Sequence, residues 1–111
     1  MVSEAADGHG GESFHSTFCR EKNLDAMMHT FIKRKPEDTI IDQWQSQIFA
    51  RIMINAHVIF VSDSDDRLVE DFQMIPAHSM KEAMDKARRI IGKEDYKVTG
   101  IPDAVSIIVK E

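Results

Sequence analysis

The chain has 111 residues, 42% hydrophobic and 30% charged, a size and balance that suit one compact domain with a core able to fold without staples. Fourteen basic against nineteen acidic residues leave a net charge of -5, the wrong sign for a surface that tracks nucleic-acid phosphates. The single cysteine, Cys19, has no intramolecular disulfide partner, and no apolar run approaches the roughly 18 to 20 residues that cross a bilayer. The expectation is a soluble, cytoplasmic protein with neither a nucleic-acid nor a membrane partner.

Met1 to Ala6 reads as a short strand that runs into Asp7-Gly8-His9-Gly10-Gly11, a permissive turn from strand to helix. A feeding strand this short suggests the middle of a longer βα series, hence a domain of a larger protein. Glu12 to Glu21 is expected to be helical, with Phe14 and Phe18 on one side. A break near Asn23 precedes a second helix carrying Leu24, Met27, Met28, Phe31 and Ile32. After the basic linker Lys33-Arg34-Lys35-Pro36, a third helix ends near Asn55. Its stripe of Ile41, Trp44, Ile48 and Ile52 is expected to face the sheet, with Trp44 at the edge.

His57 to Val61 has the β-branched, apolar character of a buried strand. Ser62 to Asp66 is a polar turn, Arg67 to Phe72 a short helix, and Phe72 to Ile75 a short strand before Pro76. Ser79-Met80-Lys81-Glu82 is a capping box that opens a helix closed by Gly92. Tyr96 to Ile101 and Val105 to Val109 are the last expected strands, the pair compatible with an antiparallel edge. Alternating β and α units predict an α/β fold, a three-layer Rossmann-like domain over residues 1–111 with a mainly parallel sheet.

The Gly8, His9, Gly10 and Gly11 loop leads into a helix N-terminus, which is able to cradle an anion. It lacks both G-x-G-x-x-G spacing and a following Lys-Ser/Thr, so neither nucleotide fingerprint matches. His9 and His15 have no companion at metal-ligand spacing, and His29, His57 and His78 are scattered, so no metal site and no catalytic residue is assigned. The run Asp63, Asp65, Asp66 lacks the glycine and glutamate of a calcium loop and reads as a solvated turn. Trp44, flanked by Gln43 and Gln45, suits either a core position or the wall of a cleft.

Three segments in order carry a resemblance: Asp7-Gly8-His9-Gly10-Gly11 with Phe14, Asp42-Gln43-Trp44-Gln45, and Ile101-Pro102-Asp103. Together they resemble the C-terminal part of the nickel-pincer nucleotide-dependent lactate racemases and related 2-hydroxyacid racemases. The resemblance implies a two-domain enzyme with its active site in the interdomain cleft. The cofactor-bearing lysine, the nickel histidine and the acid/base histidines would belong to an N-terminal domain, the partner of this one. It implies a place for Trp44 near cofactor and substrate, with Gln45 beside it, and reversible hydride transfer from a small 2-hydroxyacid. The nickel-pincer nucleotide would be held mainly by that other domain, with none bound tightly here. The alternative reading is a stand-alone α/β module that binds a small anion or another protein.

Overall fold

The computed structural model describes residues 1–2, 8 and 10–102. Helix α1 spans Glu12–Arg20, α2 Leu24–Lys33 and α3 Gln43–Asn55, with a single 3-10 turn at Pro36–Asp38 between the last two. Strand β1 (Ile59–Val61) leads to the short helix α4 (Asp66–Asp71), then to β2 (Ile75–Ala77) and α5 (Met80–Ile91). Strands β1 and β2 pair in parallel, with Ile59 opposite Ile75 and Val61 opposite Ala77. On the other edge of β1, Val2 forms a parallel bridge to Val61, whose N–H donates to the Met1 carbonyl at 2.8 Å. The fold is therefore α/β with parallel pairing, as the alternating pattern implied.

Local signals account for the element ends. Asn23 accepts from the Ala26 N–H and caps α2. Ser79 accepts from the Glu82 N–H at 3.1 Å and caps α5, while the Glu82 carboxylate reaches back to the His78 N–H at 2.9 Å. That backbone donor, with Lys86 2.7 Å away, holds the Glu82 carboxyl below its ordinary range. Gly92 closes α5 at φ 63°, a left-handed conformation that glycine adopts without a Cβ penalty.

Two strand expectations change. The predicted Phe72–Ile75 strand forms instead at Ile75–Ala77, because Phe72 ends α4 inside the core and Gln73 reverses the chain at φ 60°. Pro76 is tolerated within β2 because Ile75 and Ser62, not Pro76, donate across the pair. The Pro76 carbonyl, on the outer edge, accepts from Lys86 at 2.6 Å. Tyr96 to Ile101 has no regular structure; Tyr96 instead takes a side-chain hydrogen bond from Arg88 at 2.7 Å. Val105 to Val109 lies outside the described residues.

The core is a set of phenylalanines drawn from three helices. Phe14 and Phe18 of α1, Phe49 of α3 and Phe72 after α4 meet with centroids 5.2 to 6.1 Å apart, in stacked, tilted and edge-on pairs. Phe18 is wholly buried, and Met27, Phe31 and Ala50 extend the cluster toward α2. Replacing Phe18 by alanine is expected to cost about 3 to 5 kcal/mol. Ser79→Ala, which removes only the α5 cap, should cost about 1 kcal/mol. Urea denaturation of the two variants should show that order, and a larger loss for Ser79→Ala would contradict the location of the core.

Candidate functional site

Helix α3 turns the opposite way from its sequence pattern. Its buried residues are Gln43, Ser46 and Ala50, while Ile41, Trp44, Ile48 and Ile52 are 80, 62, 50 and 48% exposed. The expectation that the isoleucines face the sheet is thus wrong, and the reason is visible in α2. Ser46 and Ala50 are small enough to let α2 approach closely with Met27 and Phe31. Gln43 is buried because Arg34, at the end of α2, donates to its Oε1 at 2.6 Å. The Arg34 guanidinium also lies 5.5 Å from the Phe31 ring centroid. With its polar and small residues used against α2, the helix leaves its large aliphatic stripe unpartnered.

Two segments far apart in sequence meet at the start of α3. The Ser13 hydroxyl donates to the Ile41 carbonyl at 3.0 Å, tying the first turn of α1 to the entry of α3. A Cβ on Gly11 would lie 3.2 Å from Asp42 Oδ2, so this glycine permits the close approach. Gly8 and Gly10 are exposed at φ 66° and 74°; Asp7 and His9 lie outside the described residues. Asp42 itself adopts φ 62° before Gln43, and Trp44 and Gln45 follow at the surface. Gly11 at the end of the candidate loop thus meets Asp42, two residues before Trp44. Asp42 and Glu12 also bring carboxylates to the N-terminal end of α1, where the free amides would otherwise favour an anionic ligand.

Behind the loop is a cavity of about 160 Å³, lined mostly by Phe14, Phe49, Phe60, Leu68 and Phe72, with Ser64 as a polar edge. It is smaller than the several hundred Å³ usual for a ligand pocket and nearly all apolar. It belongs to the packing of the phenylalanines.

Among the described residues, the histidines other than His15 stand apart from one another. His29 and His57 are exposed, and β1 begins two residues after His57. His78 sits 3.2 Å from the Ser62 carbonyl and 3.0 Å from Asp66, joining α4 to the start of α5. The acidic turn is structural: Asp65 caps α4 by accepting from the Arg67 N–H. His15 Nε2 lies 3.3 Å from Asp71 Oδ2 and 3.4 Å from Cys19 Sγ. The hydrogen bond to His15 holds the Asp71 carboxyl below its ordinary range, aided by Lys22. Partial desolvation pushes the Cys19 thiol up, and the nearby Asp71 charge adds to this. The His-x-x-x-Cys spacing on one helix face was the only sign of this cluster in the sequence, and Asp71 is 56 residues beyond His15.

An α/β domain with parallel strands and, among the described residues, an exposed apolar stripe along α3 is the class that these features define. The chain belongs to the lactate racemase C-terminal domain family, whose model matches residues 1–109. It is 43% identical over its full length to the lactate racemase of Thermoanaerobacterium thermosaccharolyticum, and 43% identical over 99% of its length to that of Lactiplantibacillus plantarum. In each case it spans 26% of the relative, about a quarter. The solved lactate racemase apoprotein from T. thermosaccharolyticum superposes with a TM-score of 0.92 at 43% identity, over 99% of this chain and 26% of that one.

The exposure of Trp44 has a direct optical consequence, since it is the only tryptophan. The 111-residue chain should emit at the long wavelength of a hydrated indole and be quenched readily by acrylamide. Blue-shifted emission that resists quenching would contradict the outward orientation of α3.

Proposed function

We propose that this chain is the C-terminal domain of a two-domain 2-hydroxyacid racemase of the lactate racemase type. In this reading it forms one wall of the cleft between itself and an N-terminal domain. The observation that carries the proposal is the uncovered Ile41–Trp44–Ile48–Ile52 face, on a chain that spans about a quarter of the racemases it resembles. Soluble domains rarely leave such a contiguous apolar stripe open unless something docks there. No described helix is long and apolar enough to cross a membrane. The free, exposed Cys19 fits the cytoplasm as the compartment.

The nickel-pincer nucleotide of this enzyme type suits the face only as something to be covered. Helix α3 contains no lysine to carry the group and no histidine to ligate its metal, whereas the exposed Trp44 indole offers a flat apolar wall. When bound, the cofactor supplies reversible hydride acceptance from the carbon that bears the substrate hydroxyl. The contribution of this chain is different. Trp44 excludes water and limits how the substrate sits, and the exposed Gln45 amide presents a donor and an acceptor to a hydroxyl or carboxylate. The glycine turn lets α1 and Asp42 come together and so sets the angle at which α3 presents both residues. The substrate is a small 2-hydroxyacid, lactate being the first to test.

Chiral analysis of lactate separates the parts of this proposal. The 111-residue chain alone should exchange no enantiomers, and the full two-domain protein with its cofactor should. Trp44→Ala in that protein should lower kcat/KM by about tenfold or more, the scale on which lost positioning acts. Enantiomer exchange by the chain alone, or an unchanged kcat/KM in the variant, would contradict the assignment of the wall.

A further inference from the structure

We propose that His15, Cys19 and Asp71 form a binding site for a divalent transition metal of the zinc type at the junction of α1 and α4. Three different ligand chemistries converge there. The imidazole Nε2, thiol Sγ and carboxylate Oδ2 all lie within 4.8 Å of one another. Nε2 lies 3.3 Å from Oδ2 and 3.4 Å from Sγ, with Sγ also 4.0 Å from Nδ1 and so over the imidazole ring. Tetrahedral zinc with its usual bond lengths to nitrogen, oxygen and sulfur places its ligand atoms about 3.3 to 3.6 Å apart. A rotation of the exposed Cys19 side chain would carry Sγ from over the ring to the Nε2 edge and beside Oδ2.

The scaffold holds these ligands for reasons unrelated to a metal. His15 and Cys19 are four residues apart on α1, so both side chains leave the same face of the helix. Asp71 is fixed through its neighbour Phe72, which stacks on Phe14 at 5.3 Å and meets the His15 ring edge-on at 5.4 Å. The aromatic core thus sets the distance between the two helices that carry the ligands. Lys22 approaches the other carboxylate oxygen, Oδ1, at 3.5 Å and the Asp71 carbonyl at 3.1 Å, which leaves Oδ2 turned toward His15.

The chemistry of the donor set favours zinc, cobalt or nickel over calcium or magnesium, because two of the three ligands are soft or borderline. Asp71 is ionised at neutral pH, its pKa being lowered first by the His15 hydrogen bond. Partial desolvation, with the Asp71 charge beside it, pushes the Cys19 thiol up. On binding, the Sγ–H and Nε2–H bonds break and Sγ–metal and Nε2–metal bonds form; the thiol proton passes to solvent, and the imidazole keeps its one proton on Nδ1 as the Nε2 proton is exchanged with water. No electron changes hands. With three protein ligands, the fourth position is left to water.

Cobalt(II) is the probe, because a cobalt thiolate shows a sulfur-to-metal charge-transfer band and a four-coordinate centre shows intense visible bands. Titrating the 111-residue chain should give both, saturating at one equivalent and reversed by zinc. Since Cys19 is the only cysteine, Cys19→Ser should abolish the charge-transfer band. Asp71→Asn and His15→Gln should each weaken cobalt binding by at least about tenfold, the scale on which even outer-shell partners act. Absence of the thiolate band at saturating cobalt would overturn the site. So would a band whose midpoint is unmoved by Asp71→Asn and His15→Gln, which would report an isolated thiol.

Discussion

The contact between Phe14, Phe18, Phe49 and Phe72 is the one on which the rest of the structure depends. It is the place where α1, α3 and the end of α4 are held to each other, and no single helix of this length would be stable in water alone. Its consequences reach each functional feature. By locking Phe49 inward it rotates α3 so that Trp44 and Ile48 look outward. By locking Phe14 and Phe18 it fixes the face of α1 that carries His15 and Cys19. By seating Phe72 it places Asp71 against that face. The geometry of both the proposed wall and the proposed metal site therefore descends from one packing arrangement.

The elements themselves were largely legible because their signals are local. Asn23, Ser79 with Glu82, and Gly92 mark helix ends by chemistry that acts within a few residues. The β-branched run before the acidic turn marked β1, and β–α alternation implied the parallel pairing that is found. The strands were less legible. Pro76 read as a strand terminator, yet it sits inside β2 because its missing N–H points away from the partner strand. Tyr96 to Ile101 has strand composition, but Tyr96 is engaged with Arg88, and composition alone supplies no hydrogen-bonded neighbour.

The face of α3 was not legible for a more general reason. Hydrophobic periodicity locates the apolar side of a helix and assumes that this side is covered within the same chain. Here the stripe is apolar and uncovered, while the covered side is made of Gln43, Ser46 and Ala50. The buried glutamine is stable only because Arg34, nine residues earlier, satisfies its carbonyl. Such pairings are invisible to any rule that ranks single residues. The family resemblance, carried by the glycine loop, Asp42-Gln43-Trp44-Gln45 and Ile101-Pro102-Asp103, pointed to Trp44 as a cleft residue where periodicity pointed to the core. The exposure of Trp44 agrees with the former, and its role in the cleft rests on the proposal. The His15, Cys19 and Asp71 cluster lay beyond reach because its third member comes from a different helix.

On the proposed reading, the stripe on α3 faces another domain rather than water in the working protein. Hydroxyl-radical footprinting tests it most directly, by comparing side-chain oxidation in the 111-residue chain with that in the proposed two-domain protein. Trp44, Ile48 and Ile52 should be oxidised freely in the chain alone and protected in the longer protein. Equal oxidation of Trp44, Ile48 and Ile52 in the two proteins would contradict the account.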